Sequence, residues 1–456
     1  MSRPPIAGAG AAALAAGEGG RILWLRSIGW LLLLGPFFFL SYGYANSAAA
    51  ARGVTDALFF EWERAIPFVP WTIVPYWSID LFYGLSFLYC RDRLVVDRHA
   101  LRLLTAQCVS VACFLLFPLR FAFTRPDSDG LPGLMFDALA GFDQPYNQAP
   151  SLHISLLVIV WLRFALGAGR EWRWLVHLWA LAIGVSVLTT YQHHFIDVPT
   201  GALVGLLCVW AWPDRGPSPL AGWRGAVGAA RLRLAFIYLA AAALLAAMAF
   251  AAGGGALWLL WPAAAFVLVA LCYVGPGGRG FQKEGGRHRV ATVLLCAPYI
   301  AGAWLNSRWW TRRHPQADAV VDGVWLGRMP RAADMRRGSF AALFDLAPEL
   351  PAPRGRWHYD GLPWLDLVAP EPAGLVDAGR RIEALRTHGS VLVCCALGYS
   401  RSASAVAAWL LVSGRAADVT EAVAIVRRAR PDVVLGPAHS AALAACADLA
   451  RGRPDG

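Results

Sequence analysis

The chain has 456 residues, 57% of them hydrophobic, which is more apolar than an ordinary soluble domain and excludes a simple soluble enzyme. Its formal charge of +11 comes from 41 Lys+Arg against 30 Asp+Glu, and nearly all of the bases are Arg. In a membrane protein such an excess gathers in cytoplasmic loops; no nucleic-acid motif accompanies it, so nucleic acid is excluded as a partner.

Taken in chain order, residues 1–21 are small and polar and are expected to be disordered. Apolar stretches near the length of a span, about 20 residues, follow at roughly 22–44, 68–90, 101–123, 151–168, 172–190 and 195–213. They define a six-span helical domain over 22–214. Three further apolar stretches lie within 231–307, near 232–252, 255–275 and 290–307, which predicts about nine spans. The Arg-rich loops at 91–102, 163–173, 214–233 and 279–289 alternate with Arg-poor ones. The positive-inside rule therefore places the N-terminus in the cytoplasm and the loops at 124–150 and 191–194 outside. Nine spans would put the tail outside as well, whereas Arg308, Arg312 and Arg313 after the last stretch argue for inside. The sequence leaves that side open.

From Ala317 the texture changes. Val320–Gly327, Ala341–Leu346 and Val391–Cys394 have the character of strands, and helical stretches fit 374–387, 401–413, 418–429 and 437–450. Strands interleaved with helices predict an α/β domain over 317–452. The fold expected is thus multi-domain, a polytopic helical bundle followed by an α/β tail. Of the nine cysteines, six lie in or beside apolar segments, where they behave as small hydrophobes. No spacing suggests a zinc site or a disulfide framework.

Two constellations carry chemistry. The first is split across apolar segments: Pro118-Leu-Arg-Phe-Ala-Phe-Thr-Arg-Pro126, Gln148-Ala-Pro-Ser-Leu-His153 and Tyr191-Gln-His-His-Phe-Ile-Asp197. His193 and Asp197 are four apart, so a helix would put them on one face. An Asp holding one imidazole nitrogen leaves the other free to attack. His153 would protonate a leaving oxygen, and Arg120 and Arg125 offer positive charge to a phosphate. These elements resemble the type 2 phosphatidic-acid phosphatase superfamily. The resemblance implies that His193 is the nucleophile, Asp197 its orienting carboxylate and His153 the general acid, with Ser151 helping to bind phosphate. Val187 and Pro118 stand where the phosphatase branch carries basic residues. That makes the chain look closer to the inositol-phosphorylceramide-synthase branch, which transfers a phosphorylated headgroup between lipids.

The second constellation is Val391-Leu-Val-Cys-Cys-Ala-Leu-Gly-Tyr-Ser-Arg-Ser402. A buried strand leads into Cys395, and five residues later come Arg401 and Ser402. A thiolate can attack phosphorus while loop amides and a planar guanidinium hold the other oxygens. Together with Val321-Asp-Gly-Val-Trp-Leu-Gly-Arg328 and Phe344-Asp-Leu346, this resembles dual-specificity protein phosphatases. The resemblance implies that Cys395 is the nucleophile and Arg401 the phosphate clamp. Ser402 would assist breakdown of the phosphocysteine, with Gly398 and Ser400 in the phosphate-binding loop. Asp366, 29 residues before the cysteine, fits the general acid, with Asp360 as the other candidate. Cys394 stands where the family usually carries His.

The order of the two domains resembles bacterial fusions of these families and implies a multi-pass inner-membrane enzyme whose lipid site faces outward. Its membrane site would transfer or hydrolyse a lipid-linked phosphate. Its tail would act on a phosphorylated small molecule, lipid or protein. Neither site calls for a metal or another cofactor. The alternative is a protein phosphatase whose spans serve as a lipid sensor or anchor.

Overall fold

A computed structural model describes residues 8–221, 223 and 228–452, with side chains from Gly20 onward. The chain divides into two compact units, 1–218 and 219–456.

The first unit is helical: α1 (Gly8–Ala51), α2 (Ile73–Leu85), α3 (Arg93–Leu116), α4 (Gly130–Ala140), α5 (Leu152–Gly167), α6 (Arg173–Thr189) and α7 (Asp197–Ala211). The disorder expected over 1–21 falls partly on residues 1–7, outside those described. From Gly8 the backbone is helical instead, because an alanine-rich run carries the highest helix propensity. The span expected at 68–90 is also altered. A 3-10 turn at Pro70–Thr72 and another at Ser86–Tyr89 leave α2 only 13 residues. At 1.5 Å per residue that is about 20 Å, short of the ~30 Å hydrocarbon layer. Proline is best tolerated in a helix's first turn, and Pro75 falls in the first turn of α2.

Helices α5 and α7 meet closely. A Cβ on Gly201 would stand 2.4 Å from the Ser151 carbonyl oxygen, and one on Gly205 2.7 Å from that of Ser155. Small residues four apart are what lets two apolar helices approach to backbone contact. At the opposite end of this pair, Arg102 and Arg163, expected as loop charges, are buried and share Asp214 at 2.8 and 2.5 Å.

The second unit opens with α8 (Ala229–Ala252) and α9 (Leu260–Val274). A small hairpin, β1 (Lys283–Glu284) and β2 (Arg287–His288), leads into α10 (Val290–Trp310). Five helical segments among the described residues are long and apolar enough to cross a membrane: Gly20–Ala51, Arg93–Leu116, Ala229–Ala252, Gly254–Val274 and Val290–Trp310. Helices α5, α6 and α7 are apolar but have only 16, 17 and 15 residues.

The tail is α/β: β3 (Asp318–Val321), β4 (Val324–Arg328), α11 (Ala332–Arg337), β5 (Ala342–Asp345), β6 (His358–Gly361), α12 (Pro372–Arg386), β7 (Val391–Cys395), α13 (Arg401–Val412), α14 (Val419–Ala429) and α15 (Pro437–Ala450). The sheet order is β3-β4-β7-β5-β6; β3 and β4 are antiparallel and the rest parallel. The single strand expected at Val320–Gly327 is instead a hairpin. Asp322 and Gly323 take φ of 46° and 79°, the two positive angles of a type I′ turn, for which Asp-Gly is a favoured pair. Strand β7 lies at the sheet centre and all five of its residues are buried, as a parallel strand covered on both faces requires. Val391, Val393 and Cys395 pack toward α12, α13 and α15, while Leu392 and Cys394 pack on the other face with Met335 and Leu350.

Candidate active sites

Strand β7 ends at Cys395 and α13 begins at Arg401, so residues 396–400 form a loop aimed at a helix N-terminus, where backbone amides favour an anion. Gly398 makes this loop possible. Its φ is +80°, and a Cβ there would stand 2.5 Å from the carbonyl carbon of Gly327. The Cys395 Sγ accepts hydrogen bonds from the Gly398 N–H and the Ser402 hydroxyl, each at 3.3 Å. Gly398→Ala is therefore expected to displace the loop and remove Cys395-dependent turnover while leaving the far-UV circular dichroism unchanged. Full activity in that variant would contradict the loop geometry.

Arg401 is buried and held from one side by Glu349, with Nη1–Oε2 at 2.9 Å and Nη2–Oε1 at 2.6 Å. Its Nη1 also donates to the Trp364 and Leu346 carbonyls at 3.0 and 3.3 Å. The Nε has no partner among the described residues and remains available to a phosphate oxygen. Asp366 lies 3.2 Å from Arg401, its side chain 36% exposed, so the candidate acid reaches both solvent and the phosphate loop. Asp360, the other candidate, is tied to Arg381 at 3.0 Å. The Ser400 hydroxyl lies 3.0 Å from His439 Nε2.

Sequence reasoning missed Glu349, though a buried arginine demands a counter-ion and Glu349 follows β5 closely. It also missed Lys283, the chain's single lysine. Lys283 is buried on Asp345 and donates to the Ala347 and Leu350 carbonyls, which bracket Glu349. Asp345 also accepts from the Tyr359 hydroxyl at 3.0 Å.

Cys394 and Cys395 alternate across β7, so their thiols point to opposite faces and the conformation disfavours a bond between them. Burial, with Asp345 nearby, pushes the Cys394 thiol well above its ordinary range. A thiol raised in this way stays neutral to higher pH. Iodoacetamide at pH 8 is thus expected to leave Cys394 unlabelled in the folded chain; prompt labelling seen by peptide mass spectrometry would count against it.

In the first unit, the approach of α5 and α7 brings their N-terminal ends together. Ser151 caps α5, its Oγ accepting from the Ile154 N–H at 3.3 Å, and its own N–H donates to the Asp197 carbonyl at 3.1 Å. Asp197 is buried at the first position of α7. Its Oδ2 lies 3.3 Å from His193 Nδ1 and accepts the His194 N–H at 3.0 Å. The carboxylate thus engages Nδ1 of His193 rather than Nε2. His153 stacks on Tyr76 with centroids 4.2 Å apart, and its buried Nε2 has no partner among the described residues. The two histidines are within electrostatic reach of each other.

His194 has a structural task. Its Nδ1 meets Glu63 at 3.0 Å, its Nε2 accepts the Ala122 N–H at 3.0 Å, and its ring stacks on Phe121. It thereby ties the 118–126 segment to the His193 turn. No hydrogen bond joins either arginine of that segment to the histidines. The Arg125 guanidinium lies over the Phe136 ring at 4.6 Å, and Arg120 is exposed, linked through its backbone N–H to Asp56. Glu63 and Asp143 escaped the sequence reading. Asp143 accepts from Tyr42 at 2.8 Å and Tyr76 at 3.4 Å, and His193 and Arg125 both lie within electrostatic reach of it.

Known proteins resemble the tail. No curated protein matches the chain. Among solved structures, human DUSP28 aligns at 22% identity over 30% of this chain and 99% of its own, with a TM-score of 0.28. Tk-PTP in the active form aligns at 28% identity over 30% and 98%, TM-score 0.27. PTPMT1 in complex with PI(5)P aligns at 18% identity over 30% and 97%, TM-score 0.28. The family described as dual specificity phosphatase, catalytic domain, matches residues 375–448, the stretch from α12 to α15 that contains Cys395, Arg401 and Ser402. The C-terminal part of this chain carries a dual-specificity-phosphatase-like catalytic domain.

Proposed function

We propose that the chain is an integral membrane enzyme with two phosphate-handling sites. In the tail, Cys395 Sγ attacks phosphorus and the bond to the leaving oxygen breaks as Asp366 supplies a proton. Water then attacks the phosphocysteine and gives a proton to Asp366; inorganic phosphate and the thiolate are released. Arg401 and the loop amides hold the charge that develops on the non-bridging oxygens. In the membrane unit, His193 Nε2 attacks a lipid-linked phosphate while Asp197 holds its other nitrogen, and His153 protonates the leaving oxygen. Water or a lipid alcohol completes that reaction, giving hydrolysis or transfer. Neither route calls on a metal.

The observation that carries the reading is the paired donation of Gly398 N–H and Ser402 Oγ to one sulfur beside an arginine clamped by Glu349. The test compares lipids of cells carrying the unaltered chain, His193→Ala and Cys395→Ser. A phosphorylated lipid that accumulates with Cys395→Ser names the tail's substrate. If all three strains match, and the purified chain cleaves only phosphopeptides, the lipid reading fails.

A further inference from the structure

Helix α10 is long and apolar enough to cross a membrane, yet the catalytic domain grips the chain at both of its ends. Just before it, Lys283 is buried on Asp345, and His288 Nε2 lies 2.6 Å from the Pro348 carbonyl oxygen. In its last turns, Ser307 Oγ donates to the Ala396 carbonyl in the phosphate loop, and Arg308 donates to Met329 at 3.0 Å. Arg328 reaches Thr311, just beyond, at 2.6 Å. A helix of 21 residues is about 31 Å long, nearly the full hydrocarbon thickness. A polar α/β domain attached at both ends of such a helix would lie inside the bilayer, which unsatisfied backbone and buried charge forbid.

Elsewhere α10 packs against α9, Trp261 Nε1 donating to the Leu294 carbonyl at 2.9 Å, and the apolar side chains of Val290, Leu305, Trp309 and Trp310 are left exposed. Arg308 lies over the Trp304 ring and Arg312 over that of Trp309, at 5.3 and 4.0 Å; Arg313 follows. Tryptophan beside arginine on one edge of an apolar helix suits an anionic headgroup layer. The acid loop is placed to match. Leu365 and Val368 pack with Leu234 and Ala235 in the first turns of α8 and with Val269 and Tyr273 late in α9. The Tyr273 hydroxyl donates to the Asp366 carbonyl at 3.0 Å.

We propose that α10 does not cross the bilayer. It lies on the anionic cytoplasmic surface as part of the catalytic domain, so that the Cys395 site opens onto the membrane and takes a phosphomonoester on a lipid headgroup. Helices α8 and α9 then span as a pair, turning at Gly253–Gly255, and the tail stays on the side of Arg279, Arg287 and Arg289. That is the side the positive-inside rule assigns to the cytoplasm, and it keeps the reactive thiol in a reducing compartment.

The sidedness does not depend on the phosphatase reading; the substrate class rests on it. Alkaline phosphatase or a fluorescent protein is inserted at Gly254 or fused after Gly456 in the full chain. Alkaline phosphatase should be active only at Gly254, and fluorescence should appear only at the C-terminus. Both reporters on one side would mean that α10 crosses, which overturns the proposal. In proteoliposomes of phosphatidylcholine and phosphatidylglycerol, the chain carrying His193→Ala is compared with the same chain carrying Trp309→Glu and Trp310→Glu. The ratio of phosphatidic-acid hydrolysis to p-nitrophenyl phosphate hydrolysis should fall about tenfold or more once the aromatic anchor is lost. An unchanged ratio would refute surface docking. Rates on both substrates that survive Cys395→Ser would refute the phosphatase reading and leave the topology result standing.

Discussion

Cys395→Ser is expected to lower p-nitrophenyl phosphate hydrolysis by the full chain by ~10⁴-fold or more, the scale on which an enzyme loses its nucleophile. Serine keeps the position and the two donors that reach it but replaces sulfur with a far weaker nucleophile. Arg401→Lys should fall by about 10²–10³-fold, because an ammonium cannot offer a planar pair of donors to phosphate and Glu349 at once. The two variants separate the roles: Cys395→Ser should still bind vanadate, and Arg401→Lys should bind it weakly. Undiminished turnover with Cys395→Ser would remove the thiolate from the mechanism. Thermal melting of both variants controls for folding, since Arg401 and Glu349 form a buried pair and breaking such a pair by removing one partner costs about 3–5 kcal/mol.

The second large effect is expected in the first unit. His193→Ala should abolish release or transfer of the lipid-linked phosphate, and Asp197→Asn should reduce it by about 10²–10⁴-fold through loss of the imidazole's orientation and countercharge. Asp197 also accepts the His194 N–H, so its replacement loosens the turn that carries both histidines. His194→Phe distinguishes the neighbours: it keeps a ring on Phe121 and gives up the Glu63 contact. It should lower stability and leave most of the turnover, whereas His193→Ala should do the reverse. Equal loss of activity in both would transfer the nucleophilic role into doubt. Neither substitution should alter Cys395-dependent hydrolysis of p-nitrophenyl phosphate.

Much of this was legible in one dimension because it is local. The spacing from Cys395 to Arg401 is the length of the one loop that joins β7 to the N-terminus of α13. The four-residue interval from His193 to Asp197 lets one carboxylate reach an imidazole across a single turn. The apolar run into Cys395 announced a buried strand because a central parallel strand has no wet face. The failures were of two kinds. At Asp322-Gly323 a turn signal was present and was passed over in favour of a continuous strand. Along residues 68–90, hydropathy concealed the prolines that shorten α2, since apolar content alone does not tell a span from a broken helix.

The residues that sequence could not place act from a distance. Glu349 precedes Arg401 by 52 positions, Glu63 precedes His194 by 131, and Lys283 lies 62 before Asp345. No periodicity links them; each is needed because a charge or a ring nitrogen has been taken out of water and must find a partner wherever the fold supplies one. Composition and motif alone determined that this chain is strongly apolar and that its tail is α/β, and they named the candidate site residues. Only tertiary structure decided what holds those residues in place and that α10, apolar enough to cross a membrane, is tied near both of its ends to the catalytic domain. The physical reason is that hydrophobicity is a property of residues, whereas the surface on which an apolar helix is buried is chosen by everything packed around it.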